Sequence, residues 1–218
     1  MRTHPVTLPN VRWMTLHCFE RGVPDLLESL KLPSLTSLVV DEIRCTQRPF
    51  AILPVTPFGK NPPNFAQLPE MEIAMHRPQH KVSFRSPSQA TLDYCFEPLP
   101  PGQGHYINYR RPWGSLLVNS IRKAVVDMST TDGDDGWVVG LLCDMSSLEH
   151  LEFRSCYGHT PRCLRQTIME GNSFPKMNTL AVYFGSEREA RQVCRSEDVV
   201  DGLGPGISVT WTKDSEIG

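Results

Sequence analysis

One pattern of apolar and polar positions recurs along this chain. Val11-x-x-Met14-x-Leu16, Leu35-x-x-Leu38-x-Val40, Leu148-x-x-Leu151-x-Phe153 and Met177-x-x-Leu180-x-Val182 all read apolar-x-x-apolar-x-apolar, and Ile121-x-x-Ala124-x-Val126 is a weaker copy. The last two apolar positions lie two residues apart, so they face the same side of a strand. Each copy therefore predicts a short strand. Leu8-Pro9-Asn10, Leu32-Pro33-Ser34 and Phe174-Pro175-Lys176 form similar lead-ins to three of them. Helical signals lie between the copies. Pro24-Asp25 opens a helix with Leu26, Leu27 and Leu30 on its apolar face. A short helix is expected over Trp137–Leu142, and Thr160-Pro161 caps one that carries Leu164 and Ile168 on one side. Ser186-x-x-Glu189 is a capping box. Ile207, Val209 and Trp211 alternate as a closing strand would.

The clear copies are 24 residues apart from Val11 to Leu35, 27 from Ile121 to Leu148 and 29 from Leu148 to Met177. That spacing suits units of one strand and one helix, each burying its apolar face against its neighbours. The expected fold is α/β: a leucine-rich-repeat-like solenoid of short parallel strands with helices or irregular segments opposite. One repeat domain would span 1–218, with N-terminal repeats over 1–45 and C-terminal repeats over 114–218. Twelve of the 19 prolines fall between residues 46 and 112, so 46–113 is expected to hold irregular or degenerate repeats, with disorder around 56–64. Within it Leu68-x-x-Met71-x-Ile73 reads as a degenerate copy. Val82-Ser83-Phe84 and Leu92-Asp93-Tyr94 read as edge strands.

A net charge of −2 leaves no electrostatic footprint for nucleic acid or an anionic membrane. No apolar run approaches the roughly 20 residues of a membrane span, and the N-terminal residues lack the apolar centre of a secretory signal. The seven cysteines are odd in number and loosely spaced, which fits buried free thiols in the cytoplasm or nucleus better than a disulfide framework.

Catalytic chemistry finds little support. Cys156, His159 and Cys163 are proper zinc ligands, but zinc wants a fourth, and Cys156 also falls where a repeat turns a small side chain inward. Asp132-Gly133-Asp134-Asp135-Gly136 lacks the glycine and glutamate that a helix–loop–helix calcium loop needs at positions 6 and 12. Ser120-x-x-Lys123 stands without the companion motifs of a serine–lysine nucleophile. The expectation is no enzyme, no metal and no cofactor.

The tract Asp25-Leu26-Leu27-Glu28-Ser29-Leu30-Lys31-Leu32-Pro33 resembles the repeat region of F-box proteins from mushroom-forming fungi. Met145-Ser146-Ser147-Leu148-Glu149-His150-Leu151-Glu152-Phe153 and Phe174-Pro175-Lys176-Met177 are similar to its late repeats. The resemblance implies the target-binding region of a subunit of a cullin-type ubiquitin ligase. A Skp-type adaptor would be a partner only if an F-box, a three-helix segment this sequence does not display, were supplied. A stand-alone repeat scaffold is the alternative, and zinc binding through Cys156, His159 and Cys163 a second. In such arrays the x positions of each strand form the binding surface. The candidate partner-binding residues are Arg12, Trp13 and Thr15 from the first copy, Arg122 and Lys123, then Glu149, His150 and Glu152. Aromatic and arginine side chains are frequent hot spots, which brings Arg12 and Trp13 forward.

Overall fold

The computed structural model describes residues 5–18, 26–27, 29–42, 65, 68–75, 79–87, 89–96, 119–127, 138, 141–142, 145–156, 176–184 and 208–213. They contain eleven strands: β1 (Val6–Thr7), β2 (Trp13–Cys18), β3 (Leu30–Lys31), β4 (Ser37–Glu42), β5 (Glu70–Met75), β6 (His80–Arg85), β7 (Thr91–Phe96), β8 (Lys123–Asp127), β9 (His150–Cys156), β10 (Thr179–Phe184) and β11 (Ser208–Lys213). β1 and β3 pair with each other. The other nine form one sheet in the order β11-β10-β9-β8-β5-β6-β7-β4-β2.

This architecture corrects the expected solenoid of parallel strands with helices opposite. The sheet is mixed, because β6 runs antiparallel to both β5 and β7. Helix is almost absent from the described residues, confined to a few positions such as Leu26, Leu27, Val138, Leu141 and Leu142. The physical reason for the mixed sheet lies in loop length. Four residues separate β5 from β6 and five separate β6 from β7. A parallel crossover takes about a dozen residues or more, so these strands can only turn back. They form a meander inserted in reverse order, with β7 beside β4 and β5 beside β8. The expected edge strands Val82–Phe84 and Leu92–Tyr94 are therefore interior strands. Leu30 also departs from expectation, since it pairs with Val6 in β3 instead of completing a helix face.

Four of the parallel pairings share one backbone arrangement. The Arg12 carbonyl accepts the N–H groups of Thr36 (2.8 Å) and Ser37 (3.0 Å). The Pro69 carbonyl accepts Arg122 (2.8 Å) and Lys123 (3.0 Å) in the same way, and that of Arg122 accepts Glu149 (2.8 Å) and His150 (3.0 Å). The Glu149 carbonyl accepts Asn178 (3.0 Å) and Thr179 (3.2 Å). Thr36, Arg122, Glu149 and Asn178 each donate from the position that follows the first apolar residue. Pro69 holds that position before β5 and has no N–H to donate. On that side β5 meets the antiparallel β6.

These contacts level the strand starts, so apolar positions stack across the sheet. Leu38 registers with Met14 and Leu92, and Leu151 with Ala124 and Leu180. Leu38, Val40, Met71, Ile73, Phe84, Leu92, Tyr94, Val126, Phe153 and Val182 are all buried on one face. Leu35, Leu68, Ile121 and Leu148 sink into the same core ahead of their strands, and Val138, Leu141 and Leu142 pack against it at helical spacing. Two turns set entry angles: Leu35 N–H donates to Leu32 O (3.2 Å) around Pro33, and Leu148 N–H to Met145 O (3.1 Å).

The β6–β7 turn closes through Gln89 N–H to Ser86 O (3.0 Å) and Ser86 N–H to Ala90 O (2.9 Å). It requires φ of 67° at Gln89. A β-branched side chain is strained there. Gln89→Val is expected to lower stability by about 1 kcal/mol while Gln89→Gly is tolerated. Phe84→Ala on the central strand β6 is expected to cost about 3–5 kcal/mol. Urea denaturation of the three variants checks both.

Candidate functional site

The residues that alternate with this core form the opposite face of the sheet, which is open along the strand starts, while Ser83, Val125, Glu152 and Ala181 in its middle are buried. Register aligns them into rows that cross the strands. The row at the start of the parallel strands contains Trp13, Ser37, Thr91, Arg85, Glu70, Lys123, His150 and Thr179. The middle row contains Thr15, Val39, Asp93, Ser83, Glu72, Val125, Glu152 and Ala181. The third contains His17, Asp41, Cys95, Lys81, Ala74, Asp127 and Arg154. Arg12, Arg122 and Glu149 stand one residue ahead of β2, β8 and β9 and extend the first row into a rim.

Charge on this face is polarised. The rim and first row carry Arg12, Arg85, Arg122 and Lys123 against Glu70 and Glu149. The middle and third rows carry Asp41, Glu72, Asp93, Asp127 and Glu152 against Lys81 and Arg154. Diagonal ion pairs stitch the rows together. Lys81 Nζ lies 2.8 Å from Asp93 Oδ2, and Arg85 Nη2 lies 3.2 Å from Glu72 Oε2. His17 Nδ1 contacts Asp41 Oδ2 at 3.2 Å, and Gln79 Nε2 donates to Asp41 Oδ1 at 2.8 Å. Pairs this exposed contribute about 0–1 kcal/mol each. Their larger effect is to hold long side chains in place.

Among the charged residues described on this face Glu152 is the buried one, with 7% of its surface accessible. It sits between the small neighbours Val125 and Ala181. Arg154 Nε donates to its Oε1 at 2.5 Å, and His150 Nε2 lies 3.7 Å from Oε2. That hydrogen bond to Glu152 is the main reason the Arg154 guanidinium is held above its ordinary range, against an opposing desolvation. Glu152 thus anchors Arg154 and lies beside His150, and offers little surface of its own.

The eight residues singled out in the sequence are all described, and they separate into two groups. Arg12, Trp13 and Thr15 lie at the β2 edge. Arg122, Lys123, Glu149, His150 and Glu152 gather on β8 and β9, with Arg122 Nε 4.0 Å from Glu149 Oε1. Five strand steps lie between β2 and β8, about 24 Å at roughly 4.8 Å per strand. β5, β6 and β7 lie between the two groups, with β4 beside β2. Those strands supply Glu72, Lys81, Arg85 and Asp93, which sequence reasoning passed over. Their alternation with Val82, Phe84, Leu92 and Tyr94 was the available signal.

Of the zinc candidates, Cys156 ends β9, while His159 and Cys163 lie outside the described residues. So do the 132–136 acidic loop, the 56–64 segment and the helices expected after Thr160 and Ser186. Among the described residues no group of three His, Cys, Asp or Glu side chains could hold a metal ion, and no helix is long and apolar enough to cross a membrane.

Cys95 is a free, half-buried thiol in the third row. Burial pushes its pKa up; Lys81 opposes the shift, while Asp41 and Asp93 add to it. Thiolate is the reactive form, so Cys95 needs a higher pH than an ordinary thiol to react. Peptide-resolved iodoacetamide labelling is expected to show its half-maximal rate shifted upward in pH. Lys81→Met, which deletes the opposing cation, is expected to shift it further.

No family model matches the chain, and no match was found among curated proteins or solved structures.

Proposed function

We propose that this chain is a non-catalytic protein-recognition module that uses the open face of its sheet. The polarisation of that face carries the reading. A cationic rim beside acidic inner rows fits a partner surface with the reverse arrangement, acidic where it meets Arg122 and Lys123 and basic where it meets the inner rows. Such complementarity steers association and sets orientation. The exposed group on β8 and β9 is the core of this surface: the Arg122 side chain is 69% accessible, and Lys123 is exposed. Strand backbone fixes their spacing, which lowers the ordering cost on binding.

The resemblance to F-box repeat regions supports a finer reading, in which the chain is the target-binding region of a subunit of a cullin-type ubiquitin ligase. That reading adds a consequence the face alone does not, transfer of ubiquitin to whatever the face holds.

The test is affinity capture at moderate salt with the partner identified by mass spectrometry, followed by direct binding. Arg122→Glu/Lys123→Glu reverses the rim charge without touching the core. It is expected to weaken a partner of this face by about tenfold or more and to flatten the salt dependence. Equal binding by the variant would remove the face from recognition. For the ligase reading, the chain fused behind an F-box and assembled with a Skp-type adaptor and cullin is expected to ubiquitinate the captured protein. Failure of transfer with binding intact would overturn the ligase link alone.

A further inference from the structure

The β2 edge has properties that the open face does not share. Among the described residues, the exposed large hydrophobics are Val6, Trp13 and Leu26, all within the first 26 positions. Among the described residues, the partly buried hydrophobics that pack against the core are Leu8, Val11, Met14, Leu16 and Leu30, from the same end. Leu38 and Val40, one strand inward and in register with Met14 and Leu16, are 0% accessible. The core is therefore less well covered at β2 than one strand further in.

The backbone of that edge has one strand partner among the described residues. β2 pairs with β4 on one side, and no described strand pairs with its other side. Arg12 O is turned toward β4, where it accepts Thr36 and Ser37 N–H. Backbone groups alternate sides along a strand, so Trp13, Thr15 and His17 aim N–H and C=O outward. Natural edge strands are commonly blunted by lysine, proline, a bulge or an inward charge. Trp13-Met14-Thr15-Leu16-His17-Cys18 has none of these.

We infer that β2 pairs antiparallel with β2 of a second copy of this chain, about a two-fold axis at Thr15. The sequence of the strand is self-complementary in that register. Thr15 meets Thr15 of the second copy, and Trp13 meets His17. These are the outward-aimed positions, so they form the hydrogen-bonded pairs of an antiparallel ladder. Met14 then meets Leu16 across the axis on the core side, joining two incompletely covered cores into one. The polar and apolar faces continue across the junction, and no like charges oppose each other. Trp13 and His17 make an aromatic cross-strand pair, a stabilising combination. A basic or acidic foreign strand would find no charge on β2 to recognise, whereas a copy of β2 matches it position by position. The contact is isologous, so it closes at two copies.

The full chain is to be examined by sedimentation equilibrium and light scattering across a wide concentration range. The wild-type chain is expected to be a dimer that dissociates on dilution. Trp13→Lys places a charge on the edge at a side chain 65% accessible, and is expected to give a monomer with an unchanged far-ultraviolet circular dichroism spectrum. Thr15→Pro removes the central donor and is expected to do the same. If it fails to fold, Trp13→Lys decides alone. Lys123→Ala, on β8, is expected to remain dimeric. A wild-type chain monomeric at every concentration overturns the inference, as does a dimer that survives Trp13→Lys.

Discussion

The fold depends on a repeated carbonyl that serves two donors. At Arg12, Pro69, Arg122 and Glu149 one oxygen just ahead of the apolar pair accepts the N–H groups of two successive residues of the next parallel strand. This contact sets where β4, β8, β9 and β10 begin relative to β2, β5, β8 and β9. Side chains alternate with a period of two, so a slip of one residue would drive Ser37 and Val39 into the core and expel Leu38 and Val40. Burying a side chain of that size contributes about 1.5–3 kcal/mol. Register is thus locked by the hydrophobic effect and aimed by a small set of backbone hydrogen bonds.

The same lock makes the open face a defined surface. Rows of side chains cross the strands because the strand starts are level, and only aligned rows allow a cationic rim to lie beside acidic inner rows. Glu152 shows the local consequence. Between Val125 and Ala181 it is too buried to meet a partner. Its carboxylate instead fixes Arg154 and lies close to His150. A charged residue that reads from the sequence as a contact is, in the sheet, a positioning group.

The strands of the recurrent pattern were legible because apolar spacing is a local property. Met14 and Leu16, Leu38 and Val40, Leu151 and Phe153, and Leu180 and Val182 all lie on strands of the main sheet. The order of strands was not legible from spacing, because the repeat suggests that sequence neighbours are sheet neighbours. Two signals contradicted that and were passed over. The gaps between β5, β6 and β7 are too short for parallel crossovers. Pro69 occupies the donor position used by Thr36, Arg122, Glu149 and Asn178, so β5 cannot continue a parallel series on that side. Of the candidate residues, Trp13, Thr15, Lys123 and His150 lie on the face opposite the core, and Glu152 on that face is buried. Their division into two groups follows from the inserted meander, which no periodicity encodes.

Under the proposed function, that division would give the two groups different tasks. The β8–β9 group lies inside the sheet, where backbone groups are satisfied and only side chains can recognise a partner. The β2 group lies at the edge of the described sheet, where no described strand takes up the outward backbone groups. An antiparallel β2–β2 junction would have its two-fold axis normal to the sheet at Thr15. Both open faces would then lie on the same side of one continuous sheet, with their cationic rims pointing in opposite directions. A partner carrying two copies of the matching surface would be held at both, and the second contact would be intramolecular. Self-pairing at the edge would raise the apparent affinity of the face without a new contact on it. Loss of the edge would leave each face able to bind but weakly retentive, so edge and face can be separated by comparing monovalent with divalent partners.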